Sequence, residues 1–259
     1  MLHDVYLMRS VRIYSPQKLT ATTTAELTGL AARHIAQVLH MGTGDPLVLF
    51  DGSGDEFPAI IETTTNTRIT VTLEEARTPV RESALRISLW HGLCQSSRMD
   101  SIVQKATELG VAEIQPLLTE HGIVQLDAKR RKKKTEHWLN IAISACEQSG
   151  RVLIPTINTP RTLADCLTGS NLDKSAVTIM CDPDGTAGID QHLSRGQNTI
   201  LLTGPEDGFS RNEKAAAVAA GFNLISLGPR ILRTETAPVT ALSLIQHLVG
   251  DLGNQSRSA

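Results

Sequence analysis

The sequence predicts an α/β protein in two parts, a small β-rich module of about 75 residues followed by a parallel α/β sheet. Three observations carry this. From residue 85 onward short apolar runs alternate with segments of helical periodicity; before residue 80 the runs are strand-like and separated by Gly, Asp and Asn turns; and the charge balance changes at the same place. Residues 1–80 carry 6 Lys/Arg and 9 Asp/Glu, whereas residues 81–259 carry 19 and 18. A linker at 77–83, around Pro79, then separates domains of 1–78 and 79–259.

In the first part, Leu30, His34, Val38 and Met41 recur at helical spacing over residues 29–41, and MGTGDP stops that helix with two glycines and a proline. Strands are expected at 47–50 and 57–61, across the turn DGSGDE. TRITVTL (67–73) alternates with period two after Asn66, which predicts a hairpin and makes the module a small β-barrel or sheet.

In the second part, LRISLW (85–90) reads as a strand. Residues 99–109 read as a helix with Ile102, Val103, Ala106 and Leu109 on one face, capped by Gly110. VAEIQPLL (111–118) is strand-like, and a long helix runs from the cap Asp127 to Gln148, ended by Ser149-Gly150. Further strands are expected at 176–181, 199–203 and 223–227. Ser210 and Glu213 form a capping box that starts a helix running to Gly221. GPEDGF therefore lies between a strand and a helix, where open α/β sheets bind ligands.

Composition removes several function classes. With 41% hydrophobic and 20% charged residues the chain is neither disordered nor collagen-like. It contains no apolar run long enough to span a membrane and no cleavable leader, so a cytoplasmic protein without membrane partners is expected. Cys94, Cys146, Cys166 and Cys181 form no C-x-x-C pair and the histidines are scattered, so no metal is expected. The dinucleotide, P-loop, zincin and serine-hydrolase signatures are missing.

A net charge of −2 confines any binding of polyanions to local patches. The strongest is Lys129, Arg130, Arg131, Lys132, Lys133 and Lys134, a run that wraps right around a helix and must meet solvent or phosphate. Trp138, Ile141, Ala142 and Ala145 form the buried face of the same helix. Aromatic residues make up only 3% of the chain, so base stacking is not a general binding mode. Two loops, LLTGPEDGFS (201–210) and LGPRILRTETAP (227–238), each follow an apolar strand and concentrate Glu206, Asp207, Arg230, Arg233 and Glu235.

MDSIVQKATELGV (99–111), ACEQSGR (145–151), GPEDGFS (204–210) and LGPRILRTETAPVTAL (227–242), with RIYSP (12–16), HIAQVLHMGTGD (34–45) and LFDG (49–52) in order before them, carry a likeness to a known family. Across essentially its whole length the chain resembles the RsmE-type 16S ribosomal RNA uracil-N3 methyltransferases of the SPOUT superfamily. The resemblance implies a PUA-like N-terminal RNA-binding barrel and a C-terminal SPOUT-type α/β knot, a deep trefoil with a mostly parallel sheet. Knots are so rare that only the likeness supplies this one. It also implies S-adenosylmethionine as methyl donor, S-adenosylhomocysteine as product, 16S rRNA within the small ribosomal subunit as substrate, and a homodimer whose partner subunit completes the site.

By the same resemblance, Leu202, Thr203, Gly204, Pro205, Glu206 and Gly208 belong to a first cofactor loop. Leu227, Gly228, Ile231, Leu232, Arg233, Thr236 and Ala237 belong to a second, with residues 181–183 as a third wall. Glycines there let the backbone approach a ligand, and Leu and Ile supply apolar walls. Arg233 suits stabilisation of a uracil oxygen as charge develops, and Glu206 and Glu235 are candidate proton acceptors. Candidate RNA contacts are Arg9, Arg12, Arg98, Arg151 and Arg230 together with the basic run 129–134.

The chain departs from the family pattern at Asp207, where glycine is common, at His40 and His121, where arginines are common, and at Gln95-Ser96-Ser97-Arg98. Asp207 is expected to tolerate a left-handed backbone. Two other readings remain open: a SPOUT methyltransferase acting on transfer RNA or a ribose 2′-hydroxyl, and a non-catalytic RNA-binding ribosome-assembly factor.

Overall fold

The structure, a computed structural model, describes residues 11–65, 67–122, 126–168, 173 and 175–253. The chain forms two compact units. One runs to Glu82 and takes in Cys146–Ile154; the other comprises Ser83–Ala145 and Pro155–Ala259. Arg9 lies outside the described residues.

The first unit is a five-stranded sheet built from β1 (Arg12–Tyr14), β2 (Thr24–Thr28), β3 (Pro46–Phe50), β4 (Glu56–Thr64) and β5 (Arg68–Leu73), in the order β1-β3-β4-β5-β2. β1 runs parallel to β3 and the other pairs are antiparallel. The alternation in RITVTL is realised directly: Ile69, Val71 and Leu73 are buried with Ile13, Leu27, Leu49 and Ile61 in one apolar cluster. β4 and β5 form the expected hairpin, with an irregularity between Ile61 and Thr63.

The helix of this unit corrects the sequence reading. α1 (Gly29–Arg33) continues as a π-helical turn, His34–Val38, and the buried residues are Ala32 and Ile35. Leu30 and Val38 face outward, 74% and 64% exposed. The segment carries a second stripe at helical spacing, Ala32, Ile35, Ala36 and Leu39, and that one packs on the core in place of the stripe read from the sequence.

The segment 77–83 is tied down rather than a free linker. Arg77 exchanges both backbone hydrogen bonds with Glu56, and the Arg81 guanidinium pairs with the buried Glu56 carboxylate at 2.8 Å. Glu56 also pairs with Arg12, whose side chain is 8% exposed and lies over the Phe50 ring. Arg151 is likewise buried, paired with Glu82 at 2.9 Å. Both arginines, expected on the RNA surface, instead neutralise carboxylates inside the first unit, where an unpaired charge would be costly.

The second unit is a parallel sheet of seven strands. β6 (Ile87–Gly92), β7 (Glu113–Leu118), β8 (Thr156–Ile157), β10 (Val177–Cys181), β11 (Thr199–Thr203) and β12 (Asn223–Ile225) run in the order β12-β10-β11-β6-β7-β8, and β9 (Arg161–Thr162) also pairs with β7. Every pairing is parallel. Helices α2 (Ser96–Glu108), α3 (Ala128–Ser149), α4 (Leu163–Thr168), α5 (Arg211–Ala219) and α6 (Thr236–Leu248) connect or follow the strands. Met99, Ile102, Val103 and Ala106 of α2 are buried, as are Trp138, Ala142 and Ala145 of α3, while Leu109 and Ile141 are half-buried.

The chain crosses itself closely after β10. A side chain at Gly185 would put its Cβ 2.4 Å from the backbone of Ile225, and the crossing is held by hydrogen bonds from Asp182 N–H to Ile225 O and from Ser226 N–H to Ala187 O. Only glycine leaves room for two backbones at that distance. The curled β-sheet unit and the parallel sheet with this crossing make the SPOUT-type α/β-knot architecture with a PUA-like N-terminal unit.

Candidate functional site

β12, β10, β11 and β6 are consecutive in a parallel sheet, so the loops leaving their C-terminal ends share one edge of it. Residues of the loops that follow β10, β11 and β12, with Arg98 of α2, surround a cavity of ≈ 640 Å³. That volume lies inside the roughly 300–1,000 Å³ range of small-molecule sites.

Local sequence fixes each wall. Gly92 ends β6 where any Cβ would lie 2.3 Å from Pro205, so its glycine lets the GPEDGF loop fold against the strand. Ser210 and Glu213 complete the expected capping box, which anchors the far end of that loop on α5. The second loop ends where the Arg233 carbonyl accepts from the N–H groups of Thr236 and Ala237 to open α6. Pro238 sits in the first turn of α6, where a missing N–H leaves no helical bond unmade.

The cavity brings together residues from both expected loops: Gly204, Pro205, Glu206 and Gly208 from the first, and Leu227, Gly228, Ile231, Leu232, Arg233 and Ala237 from the second, with Arg98, Arg230 and residues 181–183. Four expected residues stand apart. Glu235, beside Arg98 at the start of α6, does not line the cavity. Leu202 and Thr203 are buried within β11, and Thr236 is exposed at the start of α6; none lines the cavity. Asp207 takes no left-handed conformation, which falls instead on Gly208 (φ 67). Among the described residues, positive φ outside glycine occurs only at Thr22 and His40.

Sequence reading missed Asp184, Lys214, Thr234 and Phe209 as further cavity residues. Lys214 binds the buried Asp182 carboxylate at 2.7 Å and Asp184 at 3.4 Å. Hydrogen bonding to Asp182 raises the Lys214 pKa despite partial burial. Neither residue belongs to a motif, and their pairing joins the start of α5 to the end of β10.

Arg98, on α2, joins both loops. Its guanidinium donates to Glu206 at 2.8 Å and lies 3.7 Å from Glu235. Burial works to raise the Glu206 pKa, but hydrogen bonds from its own and the Gln95 N–H groups and from Arg98 outweigh it and hold the carboxyl below its usual range. A carboxylate held this way is a weak proton acceptor. Glu235 Oε2, by contrast, is buried without a hydrogen-bond partner among the described residues. The guanidinium groups of Arg230 and Arg233 are exposed and make no ion pair among those residues.

Neither neighbouring thiol is set up as a nucleophile. Burial, then the Glu206 charge, pushes Cys94 up to about 12, and burial with Asp182 pushes Cys181 up to about 12. Among the described residues no His, Cys, Asp and Glu cluster is arranged to hold a metal, and no helix is long and apolar enough to cross a membrane.

The basic run separates into two sets. Arg131 donates to the carbonyls of Leu126 and Pro160, and Lys134 reaches Ser96 Oγ at 2.6 Å and lies over the Trp138 ring. Lys129, Arg130, Lys132 and Lys133 are exposed, with Arg130 near Asp127.

A parallel knotted sheet carrying a ligand-sized cavity at its carboxyl edge, in a chain that also has a separate curled β-unit, defines a two-part enzyme of the SPOUT class. A family profile described as an RNA methyltransferase domain matches residues 81–246, and one described as an RNA methyltransferase PUA domain matches residues 27–74. The ribosomal RNA small subunit methyltransferase E of Bacillus subtilis (strain 168) is 30% identical over 89% of this chain and 93% of its own length. Its counterpart in Buchnera aphidicola subsp. Schizaphis graminum is 33% identical over 94% and 98%. The chain belongs to this family of RNA methyltransferases. A methyltransferase of Legionella pneumophila, solved with its bound cofactor SAM, superposes with a TM-score of 0.90 at 38% identity, covering 94% of this chain and 100% of that one. The Neisseria gonorrhoeae ribosomal RNA small subunit methyltransferase E, solved bound to S-adenosyl methionine, gives 0.88 at 32% identity with the same coverage.

Proposed function

We propose that the protein transfers a methyl group from S-adenosylmethionine to N3 of a uridine in 16S ribosomal RNA of the small subunit. The observation that carries this is the meeting, in one cavity, of the GPEDGF and LGPRILRTETA loops with unpaired arginines on the rim. The residues present fit the cofactor. The cavity has the volume of a nucleoside site, apolar Leu227, Leu232 and Ala237 in its wall for a ring, and both cationic and anionic side chains for an amino-acid end. When bound, the cofactor supplies an electrophilic sulfonium methyl group.

The protein's part is alignment and charge. Arg233, permanently protonated and free to point at substrate, stabilises negative charge developing on a uracil oxygen. Arg98, clamped between Glu206 and Glu235, fixes the separation of the loops. Since Glu206 is held as an anion by three donors, we assign it to holding; Glu235, whose Oε2 lacks a hydrogen-bond partner among the described residues but lies 3.7 Å from Arg98, is the other candidate acceptor of the N3 proton. With both thiols protonated, transfer is direct. The exposed lysines of α3 contribute phosphate contacts, and the enzyme works as a cytoplasmic homodimer. Reaching N3 requires an unpaired or flipped base.

The test is to incubate the protein with labelled S-adenosylmethionine and small ribosomal subunits lacking the modification, then digest the RNA and identify the labelled nucleoside. N3-methyluridine is the expected product; a 2′-O-methylated nucleoside, or label entering only transfer RNA, overturns the assignment.

A further inference from the structure

His91 is fully buried at the penultimate position of β6, behind the cavity wall. Its Nδ1 lies 2.7 Å from Thr203 Oγ1, at the end of β11. Its Nε2 lies 3.5 Å from Oγ1 of Thr234, a buried residue of the second loop, and that hydroxyl donates to the Gly204 carbonyl at 3.0 Å, in the first loop. A threonine hydroxyl has one proton. Because the Thr234 proton goes to Gly204, its oxygen can only accept from the ring, so Nε2 carries the hydrogen. Nδ1 is then bare and accepts from Thr203. One neutral ring thus satisfies every contact, and the chain of donors has a single direction.

We propose that His91 is a positioning residue of the methyl-transfer pocket, the centre of a one-way relay from Thr203 through His91 and Thr234 to the Gly204 carbonyl that locks the two cavity loops together. The inference rests on the reading of this cavity as the cofactor site. The relay explains why Thr203, which does not line the cavity, nonetheless belongs to its machinery: it sets the tautomer that reaches Thr234. Burial of the ring keeps it neutral, with Glu206 the charge acting on it in the opposite sense. Aligned hydrogen bonds of this kind reinforce one another away from water.

Two measurements test the relay. In the wild-type protein, ¹⁵N spectra of His91, assigned by loss of its signals in His91→Gln, are expected to show Nε2 protonated and Nδ1 bare; a proton on Nδ1 overturns the relay without reference to any folding defect. Calorimetric titration of S-adenosylmethionine then compares wild type with Thr234→Ser, which keeps the hydroxyl, and Thr234→Val, which keeps the shape. The serine variant is expected to bind within about twofold of wild type and the valine variant about tenfold or more weakly, because a buried carbonyl and ring nitrogen lose their partner. Equal affinity in the valine variant overturns the relay but leaves the cofactor site standing. Failure of the wild type itself to bind overturns the reading of the cavity.

Discussion

Arg98, Glu206 and Glu235 show how one cation allocates roles to its neighbours. Glu206, on the cavity wall, is committed to Arg98 and two backbone donors, whereas the exposed Arg233 and Arg230 make no ion pair among the described residues. Arg233→Ala is expected to lower kcat by about a hundredfold or more, the usual consequence of losing a donor to developing charge. Because the side chain is exposed and unpaired, its melting temperature should stay within error of wild type; unchanged methylation would remove the assignment. A buried charge behaves differently. Glu56 neutralises both Arg12 and Arg81, so Glu56→Ala should cost about 3–5 kcal/mol in urea unfolding, by stranding two guanidinium groups. At this scale the sequence was partly legible. The arginines were visible as charges, but whether an arginine faces phosphate or a carboxylate depends on partners distant in sequence: Glu56 is 44 residues from Arg12. Lys214 was missed for the same reason, since its partners Asp182 and Asp184 are distant in sequence.

Among the elements, those with a strong local pattern were legible and those bent by tertiary demands were not. The capping box at Ser210 and Glu213 appears as read, since its chemistry lies within four residues. Ser210→Ala is expected to cost about 1 kcal/mol of stability by thermal or urea unfolding, through the loss of a cap. α1 was misread because its segment carries two stripes at helical spacing and the one richer in alanine, through Ala32 and Ile35, is the one that packs. In α3, the six-residue basic run divides by what lies beside it: Arg131 and Lys134 turn onto the protein, and Lys132 and Lys133 face solvent. The double variant Lys132→Ala/Lys133→Ala should therefore bind small-subunit RNA more weakly, with the slope of log affinity against log salt reduced by about 1.4–1.8, from 0.7–0.9 per phosphate. An unchanged slope would assign both lysines to solvent alone.

For the whole molecule, the crossing at Gly185 and Ile225 and the contacts of His91 link parts of the chain that no local pattern connects, so periodicity foresaw the sheet and pointed to the two loops at its carboxyl edge, while the individual cavity residues came from the family likeness. The same burial gives a pH signature. His91 has its pKa lowered by burial from 6.5 to about 4, against the opposing influence of Glu206. The folded state thus prefers the neutral ring, and the unfolded chain takes up the proton first as the pH falls. The ring's contribution is complete above pH 6.5 and is lost between about 6.5 and 4, at most on the order of 3 kcal/mol at about 1.4 kcal/mol per pKa unit. Urea midpoints measured across that window should decline less steeply in His91→Gln than in wild type; parallel curves would mean that the ring titrates in the fold as it does in the unfolded chain. The central claim, methyl transfer to a base nitrogen from a cavity built of the two carboxyl-edge loops, is tested most directly by digesting small-subunit RNA after incubation with the protein and labelled S-adenosylmethionine: label in N3-methyluridine that disappears with Arg233→Ala is the predicted result, and label in any other nucleoside, or in N3-methyluridine at undiminished rate with that variant, would contradict it.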